Sequence, residues 1–174
     1  YFLRKFGLKD KTGKYFDDND ERAIFYCRGV LETVKKLGWA PDVIHCHGWM
    51  NAFVPLYIKK VFNEDPIFAN SKVIFSVYNT GFTGELNKDF GNKAILDGVD
   101  LEDVADLKTP SSKEVYKHAV KWSDGVIIGS EELDSELDQY IKDSQKPMLS
   151  FQNEDSYIEE YNNFYDSVLS DVEV

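Results

Sequence analysis

The segment PDVIHCHGWMNAFVPLYIKK, residues 41–60, decides how this chain folds. Asp42 to His47 is short and nearly all apolar, which predicts a strand buried on both faces, as in a parallel sheet. After Gly48, residues Phe53, Val54, Tyr57, Ile58 and Val61 recur at helical period. A buried strand passing through a short turn into a helix is the first part of a βαβ unit.

The neighbouring sequence repeats this grammar. Upstream, Asp18-Asn19-Asp20-Glu21 predicts a helix start, with Asp18 and Glu21 at capping-box spacing. The helix should reach about Leu37, with Ile24, Phe25, Val30, Leu31 and Val34 on its apolar face, and stop at Gly38. Tyr1-Phe2-Leu3 reads as part of a strand, and further strands are expected ahead of it. Downstream, Lys72 to Tyr78 predicts a second strand and Asn79 to Gly84 a loop. Residues 85–110 are polar, with short helices at most. Ser111 and Glu114 form another capping box, for a helix to Trp122. Gly125 to Gly129 predicts a third buried strand, followed by a helix from Glu131 to Lys142 and a breaker at Gln145-Lys146-Pro147. A last helix, Glu154 to Leu169, carries Tyr157, Ile158, Tyr161, Phe164, Tyr165, Val168 and Leu169 on one face. Strands alternating with helices define an α/β fold around a parallel sheet.

The net charge is −11, which excludes nucleic acid and anionic membrane as partners, because both require clustered Lys and Arg. A neutral polymer such as a glucan meets no such barrier, and the chain has 12 Phe, 10 Tyr and 3 Trp that could stack on sugars or fill a core. Cys27 and Cys46 each sit in an apolar run, the pattern of buried free thiols rather than of a disulfide scaffold. With no signal peptide and no apolar run of membrane length, the expected compartment is the cytoplasm.

Ligands of open α/β sheets bind beyond the carboxyl ends of the strands. Three segments qualify, and they are expected to line one crevice: His45-Cys46-His47-Gly48-Trp49, Tyr78-Asn79-Thr80-Gly81 and Gly129-Ser130-Glu131-Glu132. His45 and His47 are read as pointing to opposite faces of their strand, with Cys46 directed away from both, so no shared metal is expected. One histidine then belongs to the core, and the other can hydrogen-bond a sugar hydroxyl. Glu131 and Glu132 are read at a helix N-terminus, where the dipole favours carboxylates. No glycine-rich phosphate loop and no nucleophile elbow is present.

The stretch DNDERAIFYCRGVLETVKKLGWAPDVIHCHGWMNAFVPLYIKK resembles the N-terminal catalytic domain of bacterial glycogen synthases and plant starch synthases. That family shows Asp-Asn-x-x-Arg-Phe ahead of a helix, then Pro-Asp-(Ile/Val)-(Ile/Val)-His-x-His-Asp-Trp-His. KVIFSVYNTGFTGEL resembles its next strand and loop, Val-Phe-Thr-(Ile/Val)-His-Asn-Leu-x-Tyr-x-Gly, and VYKHAVKWSDGVIIGSEEL resembles a later helix–strand segment. The resemblance implies one Rossmann-like half of a GT-B fold. It also implies glucosyl transfer from ADP-glucose or UDP-glucose to an α-1,4-glucan, with no metal and no cofactor. By position it implies His47, Trp49, Tyr78, Asn79, Gly81 and Gly84 as substrate-binding residues. The sequence also departs from the pattern. Gly48 and Met50 stand where the family has Asp and His, and Tyr78 stands where it has its active-site His.

The family's Lys-x-Gly-Gly-Leu loop has no counterpart in these residues, and no donor domain fits between Gln139 and Asp155. The end, SYIEEYNNFYDSVL, resembles the final helix of full-length relatives. The expected organisation is therefore a single unit over residues 1–174, with a helix at 154–170 packing back on it. Three functional expectations follow. The chain is a glycogen/starch synthase-type enzyme, a non-catalytic module binding glucan or a partner, or a half that needs a separate donor-domain protein or a second copy.

Overall fold

The computed structural model describes residues 7–170, so the expected strand at Tyr1 to Leu3 lies outside the described residues. Six helices and four strands follow in the order α1 (Asn19–Leu37), β1 (Val43–His47), α2 (Val54–Lys60), β2 (Lys72–Val77), α3 (Phe90–Lys93), α4 (Ser112–Trp122), β3 (Gly125–Ile128), α5 (Ser135–Asp143), β4 (Met148–Leu149) and α6 (Tyr157–Ser170). Short 3₁₀ turns at Trp49–Asn51 and Ala105–Lys108 complete the set.

The sheet is parallel throughout, in the order β1-β2-β3-β4. Its register pairs His47 with Ser76 and Val77 with Ile128, which brings the carboxyl ends of three strands level. Alternation then sorts the side chains. Cys46, Val73, Phe75, Val77, Val126 and Ile128 face a large core built with α1, α2, α4 and α5. Ile74 and Ile127 face the other side, where α6 covers them with Phe164 and Val168, flanked by Tyr161 and Tyr165. One face of the sheet therefore carries a thick apolar layer and the other a single helix.

Local chemistry explains most of the boundaries. Gly38 ends α1 in the left-handed region at φ +64, its N–H bonded to the Lys35 carbonyl. Ser111 caps α4 by accepting from the Glu114 N–H at 3.3 Å, as its spacing predicts. The polar stretch 85–110 is held by the apolar residues scattered through it: Phe90, Ala94, Val99, Val104 and Leu107 all reach the main core.

Several expectations are corrected. Asp18 precedes α1 without a capping hydrogen bond from its side chain. The buried face of α1 is Ala23, Cys27 and Leu31, with Ile24 and Val34 packed against the same core as expected, whereas Phe25 is 57% and Val30 36% exposed. β1 is not buried on both faces: among the described residues it is the sheet edge, with Val43, Ile44 and His45 half-buried and His47 exposed. The helix expected from Glu131 starts at Ser135, where the Asp134 carboxylate accepts from the N–H groups of Glu136 and Leu137. Glu131 and Glu132 lie in an exposed bend before it, outside the reach of its first turn. Past the Pro147 breaker, Met148 and Leu149 form a fourth strand that two residues could not announce. In α6, Tyr157 and Ile158 are exposed, and the helix begins three residues later than expected. Among the described residues no helix is long and apolar enough to cross a membrane.

Candidate functional site

The three strand ends do meet. From β1, His47 places Nδ1 2.8 Å from the Tyr78 hydroxyl, which comes from the end of β2. The Tyr78 ring lies against Gly129 at the end of β3. The Asn79 N–H donates to Ser130 Oγ at 2.9 Å, tying the β2 and β3 loops together. Gly48 turns the chain at φ +73 and donates its N–H to the Ser76 carbonyl. Tyr116 of α4 donates its hydroxyl to the Thr80 carbonyl at 2.9 Å, and burial pushes that phenol up to about 12. The result is a cleft of about 260 Å³ lined by His47, Gly48, Trp49, Met50, Tyr78, Thr80, Gly81 and Tyr116.

The expectation that His45 and His47 face opposite ways is overturned. Residues two apart on a strand share a face, and the two rings lie 4.0 Å apart between centroids. Both face the α6 side, and Cys46 points into the main core. His45 is held at both nitrogens: Nδ1 by the Tyr165 hydroxyl and Nε2 by Ser76 Oγ, each at 2.7 Å. Burial and the neighbouring His47 push His45 down to about 3, so it is neutral at ordinary pH. Desolvation lowers His47 too. Among the described residues, no group of three or more His, Cys, Asp or Glu side chains could hold a metal ion.

The remaining positions divide between two clefts. Trp49 is only 5% exposed and sits edge-on to Phe82, with centroids 4.8 Å apart. It lines the first cleft and also a second, of about 320 Å³, formed with Tyr15, Phe16, Asp17, Asn19, Phe82, Thr83, Glu85, Leu86 and Asn87. Met50 is half-buried, and its carbonyl accepts from the Cys27 thiol at 3.2 Å. Gly81 accepts a bond from the Tyr15 hydroxyl, and a Cβ there would collide with Ser112. Gly84, at φ +83, is exposed and lines neither cleft. Tyr165 and Ser76 are structural partners that sequence reasoning did not assign; Gly129 is expected at the crevice, but not as the seat of the Tyr78 ring. The tyrosines of α6 carried a signal, their period of four, but it reads equally as an apolar face.

This parallel sheet with helices on both faces, its polar side chains gathered at the strand ends, matches one half of a GT-B glycosyltransferase catalytic domain. The fold matches the catalytic domain of starch synthase IV from Arabidopsis thaliana, a structure bound to ADP and acarbose, with a TM-score of 0.60 and 20% identity over 90% of this chain and 33% of that one. The chain belongs to the starch synthase catalytic domain family, whose model matches residues 1–146. It is 33% identical over 130 residues to the glycogen synthase of Clostridium perfringens (strain 13 / Type A), covering 73% of this chain and 27% of that protein. It is 40% identical over 85 residues to the glycogen synthase of Elusimicrobium minutum (strain Pei191), covering 49% of this chain and 17% of that one. The chain thus spans about a quarter or less of the curated relatives it matches.

Proposed function

We propose that this chain forms the acceptor-side half of a cytoplasmic glucosyltransferase site of the glycogen/starch synthase type. The reaction is transfer of glucose from ADP-glucose or UDP-glucose to an α-1,4-glucan. Residues 1–174 act as one unit, and the helix at 154–170 belongs to it. The observation that carries this reading is the convergence of three adjacent strand ends, His47 after β1, Tyr78 and Asn79 after β2 and Ser130 after β3, cross-tied by the His47–Tyr78 and Asn79–Ser130 hydrogen bonds. A cleft with no carboxylate, lysine or arginine among the described residues of its lining suits an uncharged sugar. The proposed binding residues are His47, Trp49, Tyr78 and Gly81 in the cleft, with Asn79 and Gly84 on the loop that follows β2.

Positioning a nucleotide sugar for transfer requires preorganised donors around the pyrophosphate and the glucose. Those donors come from the donor half of a GT-B enzyme, which a separate protein or a second copy of this chain could provide. A second reading is favoured by Gly48, Met50 and Tyr78, which replace charged or imidazole groups of the family pattern. In that reading the cleft binds glucan, or a partner enzyme of glycogen metabolism, without turnover.

The deciding experiment incubates the chain with labelled ADP-glucose, and in parallel UDP-glucose, on glycogen. Incorporation above background supports the transferase. Retention on glycogen without incorporation supports the binding module. Neither incorporation nor retention overturns both.

A further inference from the structure

We propose that Tyr78 is a positioning residue: its hydroxyl fixes the tautomer of His47, so that His47 presents one N–H donor, at Nε2, to a sugar hydroxyl in the cleft. This rests on the reading that the cleft takes a glucosyl unit.

The seat of Tyr78 is built, not incidental. An ideal Cβ placed on Gly129 would lie 2.4, 2.7 and 2.8 Å from three carbons of the Tyr78 ring. Any side chain at 129 would evict that ring from the end of β3. The register of β2 and β3, pairing Val77 with Ile128, places the two residues side by side. Seated there, the phenol reaches His47 Nδ1 at 2.8 Å.

The direction of that hydrogen bond follows from relative acidity. A phenol ordinarily loses its proton near pH 10 and an imidazolium near 6.5, so between neutral partners the phenol donates and the imidazole nitrogen accepts. Nδ1 of His47 therefore holds a lone pair and the ring proton sits on Nε2. That nitrogen has no partner among the described residues, and the side chain is exposed at the cleft.

The ring behind it is clamped. His45 lies 4.0 Å away and is engaged at both nitrogens, by Tyr165 of α6 and Ser76 of β2. The contrast between the two histidines is the core of the inference. His45 has no hydrogen-bonding capacity left, whereas His47 has one donor left, with its orientation set.

The test is long-range ¹H–¹⁵N correlation NMR on the full chain with labelled histidine, at about pH 8, where unperturbed imidazoles are neutral. His47 should show an unprotonated Nδ1 and a protonated Nε2. In Tyr78→Phe the His47 shifts should move toward a mixture of tautomers, with the His45 shifts unchanged as the control for an intact fold. Gly129→Ala keeps the hydroxyl but displaces the ring, and should give the same His47 signature. Titration with maltoheptaose should weaken about tenfold in both variants, the scale of one net hydrogen bond. A His47 tautomer that is the same in wild type and Tyr78→Phe, or a wild type protonated at Nδ1, overturns the positioning role whatever the binding result. A wild type with the expected tautomer that does not bind maltoheptaose overturns instead the glucan reading of the cleft.

Discussion

Trp49 is the residue where core and cleft cannot be separated. It packs edge-on against Phe82, both nearly fully buried, yet its ring borders the strand-end cleft and the neighbouring one. Trp49→Ala should therefore destabilise the fold by about 3–5 kcal/mol, the range for emptying a buried aromatic site. Urea unfolding monitored by circular dichroism measures this. Any loss of glucan binding should then be compared at matched folded fraction. A smaller role follows from Gly38, whose φ of +64 favours glycine. Gly38→Ala should cost about 1 kcal/mol, read as a shift in the urea midpoint at constant m-value. The sequence exposes these residues unevenly. His47, Trp49 and Tyr78 stand out because they follow apolar runs at strand ends. The parity of His45 and His47 is also written in the sequence, since residues two apart on a strand share a face. The seat of Tyr78 on Gly129 is not, because it depends on the register between strands 50 residues apart in the chain.

At the scale of elements, α6 is the informative piece. It reaches the sheet through Phe164 and Val168, with Tyr165 adding its bond to His45. Phe164→Ala should release the helix before the rest of the fold loosens. Hydrogen exchange should then rise across Tyr157–Ser170 while β2 and β3 stay protected; uniform loss of protection would show instead that α6 is part of the cooperative core. At the start of α5, Asp134 is the cap that matters, and Asp134→Ala should cost about 1 kcal/mol in thermal or urea unfolding. The five strongest elements are legible from period and punctuation alone. The failures have more than one cause. The burial of β1 is misjudged because nothing in its sequence says that it is the sheet edge among the described residues. β4 is missed because two residues have no period.

For the molecule as a whole, acidification should act through the histidines before the carboxylates. His45 is held near 3 in the fold against an ordinary 6.5, so between those values the unfolded chain binds a proton that the native one does not. Stability is therefore fully present above about pH 6.5 and falls as pH drops toward 3, with a limiting slope of about 1.4 kcal/mol per pH unit for one such group. His47 adds a smaller contribution of the same sign. Carboxylates such as Asp65, lowered chiefly by its hydrogen bond from Lys35, enter only below their ordinary range. Unfolding free energies measured between pH 8 and 4.5 should decline below 6.5 in the wild type and much less in His45→Gln.

The unequal covering of the sheet has a further meaning. The thick layer under α1, α2, α4 and α5 carries most of the apolar burial, while the histidines and tyrosines of the strand ends cluster toward the thin side under α6. Robustness and novelty are thereby housed on opposite sides of one wall. Such a protein can exchange side chains on its chemical side, as at position 78, while the material that keeps it folded is left almost untouched.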